Sequence, residues 1–194
     1  MKIFMSIIFL VFIGYHVYRL IQVLIKMKQD VILPITDEEF ASIRTSQRKE
    51  LNLPTYSAQK AGIIIYSLIL LFLIITFGNA TLSSEFDLSL YPLLFIPLLH
   101  SYDFFDLFVV RDDGILRGTS FVAWDKIKSF EFVRIDINHK NYGYSQEVND
   151  KYELRIKSKF CTIRCIVMTD EMKERLTRVL EEQVSSNERI VLKN

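Results

Sequence analysis

The sequence predicts a membrane protein with three transmembrane α-helices followed by a small α+β domain of about five antiparallel strands and a C-terminal helix. Half of its 194 residues are hydrophobic and the mean hydropathy is +0.21. The charges are unevenly spread, with 17 in residues 1–110 and 30 in residues 111–194. Residues 111–194 contain alternating apolar and polar positions instead of long apolar runs, and this alternation indicates strands.

The overall composition excludes several classes of protein. The 24 Lys and Arg residues nearly balance the 23 Asp and Glu residues, so we expect no nucleic-acid partner, because such binders neutralise many phosphates. Two cysteines exclude a disulfide-dense scaffold, and the apolar content excludes a disordered chain. The sequence contains no glycine-rich phosphate loop, nucleophile elbow or paired carboxylates. We therefore expect a protein that is not an enzyme and has no cofactor or metal.

Three apolar segments carry the high hydropathy, at residues 3–25, 61–78 and 88–104. A helix crosses the hydrocarbon core with roughly 20 mostly apolar residues, and the first two segments meet this requirement. The third is shorter and contains Pro92 and Pro97, which spanning helices tolerate when neighbours satisfy the freed backbone groups. A cleaved signal peptide is the alternative for the first segment, although no small-residue cleavage site follows it.

The cations in the connecting segments predict the orientation, since cytoplasmic loops are rich in Lys and Arg. Residues 26–60 contain six such residues, whereas residues 79–87 contain none. We therefore expect a multi-pass protein of the cell membrane with its N-terminus outside. Residues 1–104 would form the membrane domain, residues 105–185 a cytoplasmic domain and residues 186–194 a tail.

The first connection contains an amphipathic segment at about residues 36–51. Thr36 and Glu39 have the spacing of a capping box, which marks a helix N-terminus. The apolar residues that follow would share one side of a helix: Phe40, Ile43 and Leu51. We expect a short helix on the inner membrane surface or against the C-terminal domain. A solvated connecting helix is the alternative.

The charged part of the chain has the two-residue period of β-strands. Asp113-Gly114 lies between two apolar runs and predicts a tight hairpin. A polar loop is expected at residues 138–150, and a helix at residues 170–184 with Thr169 as its N-cap. Strands are predicted at residues 106–111, 115–124, 127–137, 151–157 and 160–168, the second of them interrupted by Gly118.

These features resemble the bacterial PH-like domains found at the ends of small multi-pass membrane proteins. The resemblance covers residues 106–184 and rests on five positions: Asp113, Gly114, Trp124, Asp125 and Ile127. It implies a bent antiparallel sheet closed at one end by the helix, without enzymatic activity. In this sequence the first hairpin loop is short and acidic. Phosphoinositide binding is therefore not expected, since two carboxylates would repel a polyphosphate.

Polar residues in the predicted spans form one candidate site. His16 and Arg19 share one side of the first span, while His100, Asp103 and Asp106 share one side of the third span's end. Ionisable residues in a membrane are functional candidates, so a proton or cation site is possible, as is a pairing of Arg19 with Asp103. The alternative is that the third-span residues are solvated where the helix leaves the membrane, and that Arg19 extends to the surface.

A second candidate is a basic interaction face on the outward sides of the strands. Its residues are Lys126, Lys128, Lys151, Arg155 and Lys157. Such a face could contact anionic lipid at the inner leaflet, and an ordinary solvated strand face is the alternative. Cys161 and Cys165 are too far apart along a strand for a disulfide, so we expect both to be buried.

Three functions remain open at this stage. The first is a non-enzymatic membrane protein whose cytoplasmic domain scaffolds or regulates a membrane-associated partner. The second is a resistance protein against a membrane-active peptide or bacteriocin, and the third is an accessory subunit of a membrane transporter or enzyme. We expect the bilayer and a protein partner or a second copy of the chain as binding partners.

Overall fold

The computed structural model describes residues 2–46, 49–82, 96, 98, 101–159 and 161–191. The chain divides into two compact units. The first unit is formed by residues 1–29, 54–105 and 118–120, and the second by residues 30–53, 106–117 and 121–194.

The described residues form helices and antiparallel strands. The helices are α1 (Lys2–Lys26), α2 (Asp37–Ala41), α3 (Lys60–Leu82) and α4 (Asp170–Val191). The strands are β1 (Ile43–Ser46), β2 (Lys49–Glu50), β3 (Phe108–Arg111), β4 (Gly114–Arg117), β5 (Ser120–Ala123), β6 (Ile127–Arg134), β7 (Tyr152–Ser158) and β8 (Thr162–Val167).

The first unit is built on α1 and α3, which contain stretches long and apolar enough to cross a membrane, Ser6–Lys26 and Lys60–Asn79. The rings of Phe9 and Phe77 stack 4.8 Å apart between the two helices. Other apolar side chains of these helices expose more than half of their surface: Leu10, Val11, Leu68, Leu71 and Phe72. The third predicted span, residues 88–104, falls mostly outside the described residues, apart from a 3-10 turn at Ser101–Phe104.

The second unit contains two antiparallel sheets and α4. One sheet has the strand order β3-β4-β5 and the other has the order β2-β1-β8-β7-β6. Alternation in β7 places Leu154 and Ile156 in the core, as the sequence predicts. The apolar stripe of α4 joins the same core through Met172, Leu176 and Leu180. The predicted β-rich domain with a final helix is therefore confirmed in outline.

The Asp-Gly hairpin is confirmed as the β3–β4 turn, with Arg111 opposite Gly114. Gly114 has a φ of 154°, and a Cβ there would overlap the carbonyl oxygen of Val122. Any larger residue would therefore clash with the backbone of β5. Trp124 is buried close by, and its Nε1 donates to the carbonyl oxygen of Arg111 at 3.0 Å.

The strand predicted over residues 115–124, with an interruption at Gly118, is two separate strands in the structure. Gly118 adopts a φ of 54°, and the chain turns at this point between β4 and β5. Glycine adopts this left-handed conformation without a steric penalty. The region 106–168 therefore contains six strands rather than about five.

The predicted amphipathic helix over residues 36–51 is wrong beyond Ala41. The capping box is present, with Thr36 Oγ1 accepting from the backbone N–H of Glu39, but the chain then extends into β1 and β2. Ile43 pairs with Val167 of β8 and is fully buried. Pairing with β8 therefore overrides the local helical spacing, since strand formation depends on neighbours that are distant in sequence.

The end of the chain is more helical than predicted. Thr169 caps α4 as expected, since its Oγ1 accepts from the backbone N–H of Met172 at 3.2 Å. The helix continues to Val191, whereas the sequence predicts a tail from residue 186. The carboxylate of Glu39 accepts from the backbone N–H of Ile35 at 2.6 Å and also binds the guanidinium of Arg175 on α4.

Candidate functional site

The polar residues of α1 have separate partners in the first unit. His16 is buried, and its Nδ1 lies 2.8 Å from the hydroxyl of Tyr66 on α3. Arg19 donates from Nε to the carbonyl oxygen of Thr119 at 3.0 Å and from Nη2 to the hydroxyl of Ser120. These hydrogen bonds give His16 and Arg19 polar partners inside the unit, where burying an unpaired polar group would cost free energy.

The other members of the predicted intramembrane site are not brought together with them. His100 and the side chain of Asp103 lie outside the described residues, so the predicted pairing of Arg19 with Asp103 does too. Asp106 is half-buried and belongs to the second unit. Its carbonyl oxygen accepts from the backbone N–H of Asn52 at 2.8 Å.

The structure divides the predicted basic face into three places. Lys126, Lys128 and Lys157 lie at one end of the five-stranded sheet, where β6 begins and β7 ends. Lys151 precedes β7 at the opposite end. Arg155 lies between them and contacts Glu153 of its own strand.

A buried charge cluster forms around Glu153 on the outer face of β7. Only 3% of the Glu153 side chain is exposed, and its Oε2 accepts from Arg155 Nε at 2.5 Å. The Nε2 atom of His139 lies 3.2 Å from the same oxygen, and Lys140 Nζ lies 3.6 Å from Oε1. The loop between β6 and β7 supplies His139, Lys140 and the amide of Asn141.

The cations of this cluster hold Glu153 ionised. Burial alone would raise the pKa of this carboxyl, but the hydrogen bond from Arg155 and the charges of Lys140 and Arg155 lower it below its usual value. A buried carboxylate is tolerated when it is paired and hydrogen-bonded. The cluster thereby fastens the loop to the sheet, and its polar atoms contact one another.

Sequence reasoning missed this cluster. The alternation of β7 places Glu153 on the outer face, where a solvated side chain is expected. The available signal is His139, a histidine in the loop that joins two strands. That signal is weak, because nothing local indicates that the loop folds back over Glu153.

The two cysteines have different environments. Cys165 is buried in the core, and burial raises its thiol pKa to about 12. Cys161 is exposed beside the end of β7, contrary to the expectation that both are buried. Within the described ranges, no three His, Cys, Asp or Glu side chains are arranged to hold a metal ion.

Comparisons with known proteins give one match. Residues 106–185 match a family described as "Domain of unknown function (DUF5673)", which covers less than half of the chain. No curated protein and no solved structure matches the chain. The matched region begins just before β3 and includes most of α4, so it is similar to a domain family for which no activity is described.

Proposed function

We propose that this chain is a non-enzymatic, multi-pass membrane protein whose cytoplasmic PH-like domain scaffolds or regulates a membrane-associated partner. The membrane assignment is supported by the apolar side chains that α1 and α3 expose, including Leu10, Val11 and Phe72. An exposed apolar surface of this extent marks a site of contact with another molecule, and a lipid bilayer matches the length of these helices.

The three-span topology is supported by which segments of the chain form the second unit. Segments on both sides of α3 belong to it: Val110 donates to the carbonyl oxygen of Leu33 at 2.7 Å, and Asn52 donates to that of Asp106 at 2.8 Å. Residues 53 and 106 must therefore lie on the same side of any membrane. If α3 crosses the bilayer, the chain has to cross back before residue 106, which supports the predicted span at residues 88–104.

The PH-like assignment is supported by two antiparallel sheets and a C-terminal helix packed on their shared core. The non-enzymatic assignment is supported by the charge cluster of Glu153, whose buried carboxylate already contacts His139, Lys140 and Arg155. A catalytic group, in contrast, has to face a substrate. The cytoplasmic orientation rests on the cations of the connection between α1 and α3.

Thiol labelling of intact cells tests the topology. In the full chain, we expect Ser84→Cys to react with a membrane-impermeant reagent from outside, because residue 84 belongs to the outer connection, residues 79–87, that the sequence predicts. The native Cys161 should react only after permeabilisation. Labelling of Cys161 in intact cells, or protection of residue 84 there, would contradict the proposed orientation.

A glycine pair tests the role of the domain. Gly114→Ala introduces a clash with Val122, whereas Gly143→Ala has the same sign of φ, 81°, but no atom within 4 Å of the added Cβ. Both tagged chains should stay in membranes after carbonate extraction. Only Gly114→Ala should lose the proteins that co-purify with the wild type in mild detergent. Equal recovery with both variants would contradict a partner bound by this domain.

A further inference from the structure

Four lysines gather at one end of the five-stranded sheet: Lys126, Lys128, Lys157 and Lys159. We call this group the lysine end. Lys157 pairs with Ser129 of β6, and Ser158 pairs with Ile127. The backbone N–H of Lys159 donates to the carbonyl oxygen of Lys126 at 3.3 Å. The β6 and β7 lysines are therefore neighbours, and all four side chains are exposed.

Two acidic residues lie within this group. Glu131 Oε1 is 3.0 Å from Lys157 Nζ, and both side chains are about half exposed at 43% and 52%. Asp125 precedes Lys126 and is exposed. The four lysines outnumber these two carboxylates, and they are held on short strands and turns rather than on a disordered tail.

We infer that the lysine end binds the anionic headgroups of the membrane that anchors the chain, an inference that rests on the proposed function. Lysine is a compact, strongly hydrated charge that attracts anions without a fixed geometry. A group of lysines therefore suits a diffuse anionic surface better than one defined phosphate. An anchored domain also meets its own membrane at a high effective concentration, which favours lipid over an acidic protein segment.

The exposed Cys161 provides a reporter next to the lysine end. A polarity-sensitive dye reacts with Cys161, while Cys165 is 1% exposed and stays unmodified. The labelled full chain is reconstituted in nanodiscs of neutral phosphatidylcholine, or of the same lipid with 10–30% phosphatidylglycerol as the anionic probe. We expect a blue shift that grows with the anionic fraction and is lost in 0.5 M salt, because salt screens exposed charges.

Variants then identify the residues responsible. A basic residue near an anionic surface contributes about 1 kcal/mol, which is about fivefold in the docking equilibrium constant. Lys126→Gln with Lys128→Gln should therefore weaken docking about 25-fold. Glu131→Gln should strengthen it several-fold, since it releases Lys157 and removes a repelling carboxylate. This gain should be lost in 0.5 M salt, which separates it from misfolding, because salt does not screen the binding of exposed apolar surface to lipid.

Lys151→Gln is the matched control. It removes one lysine next to the same strand, six residues from Lys157, which is about 20 Å at ~3.3 Å per residue. This separation exceeds the ~8 Å screening length in physiological salt, so docking should stay within twofold. The single tryptophan, Trp124, lies in the core and reports by its fluorescence that each variant is folded.

Three results would overturn the inference. One is the same emission in neutral and anionic nanodiscs, and another is an equal effect of the Lys151 and Lys126/Lys128 variants. The third is a response to soluble polyglutamate in neutral nanodiscs that anionic lipid does not reproduce, which would identify an acidic protein segment instead. None of these alters the labelling of Cys161 in cells or the co-purification with Gly114→Ala, so failure here is distinct from failure of the proposed function.

Discussion

Arg155→Met and Glu153→Gln should both destabilise the domain, and the loss should be larger for Arg155→Met. Arg155→Met leaves a carboxylate that is 3% exposed without its closest donor, which lies at 2.5 Å. Breaking a buried pair costs about 3–5 kcal/mol, but His139 and Lys140 remain near the carboxylate. We therefore expect a loss of about 2–3 kcal/mol in the free energy of unfolding at pH 7.

Glu153→Gln should cost less, about 1–2 kcal/mol. The Arg155 side chain is 26% exposed, so its charge can turn toward water once the carboxylate is gone, whereas buried Glu153 cannot. The introduced glutamine amide still fills the space and offers an oxygen to Arg155. The order of the two losses thus follows from which partner is more deeply buried.

The pH dependence gives an independent check. The pKa of Glu153 is lowered on folding, so its stabilising contribution is present above the unfolded pKa, about 4.3, and disappears as the pH falls through the lower folded value. Glu153→Gln should flatten this acid loss. Arg155→Met should become relatively less harmful as the pH falls, because a protonated carboxyl no longer needs a cation.

Urea unfolding of the full chain in detergent measures these effects, with Trp124 fluorescence as the signal for the second unit. Lys140→Gln is a control at the edge of the cluster, because Lys140 is 54% exposed and 3.6 Å from Glu153. It should cost less than about 1 kcal/mol. The reasoning is refuted if Glu153→Gln costs more than Arg155→Met, or if the wild type and Glu153→Gln lose stability in parallel below pH 5.

Two further predictions concern the second unit. Glu39→Ala removes the capping box and the contact with Arg175, so the free energy of unfolding should fall by about 1–2 kcal/mol. The control Glu38→Ala, at an exposed position, should change it by less than about 0.5 kcal/mol. Equal effects of the two variants would contradict a structural role for Glu39. At pH 8 a thiol reagent should modify the exposed Cys161 rapidly. The buried Cys165, whose thiol pKa is raised to about 12, should react only after unfolding in urea. Mass spectrometry measures both reactions, and modification of both cysteines in the native chain would show that the core opens readily.

The features predicted correctly from the sequence have local causes. Asp113-Gly114 specifies a tight turn because glycine tolerates the φ that the turn requires. Thr169 specifies the start of α4 because its side chain reaches an N–H three residues later. The alternation in β7 identifies Leu154 and Ile156 as core residues. Each of these signals lies within a few residues of the element that it predicts.

The features missed depend on segments that are distant in sequence. Ile43 belongs to a strand because β8, more than 100 residues later, offers it a pairing edge; its own neighbours fit a helix equally well. Glu153 is buried because the β6–β7 loop carries His139 over it. Period and capping patterns in one sequence do not contain this information, since the apolar spacing around Ile43 also fits a helix and Glu153 occupies an outward position of an alternating strand.

The contact between Asn52 and Asp106 makes residues 54–105 an insertion within the second unit. Because these backbone atoms are 2.8 Å apart, residues 54–105 leave and re-enter the second unit at nearly one point. Insertions tolerate excision when their ends meet in this way. Joining residue 53 to residue 106 through two or three glycines should therefore give a water-soluble chain of residues 30–53 and 106–191, on which the sheets, the Glu153 cluster and the lysine end can be studied without detergent.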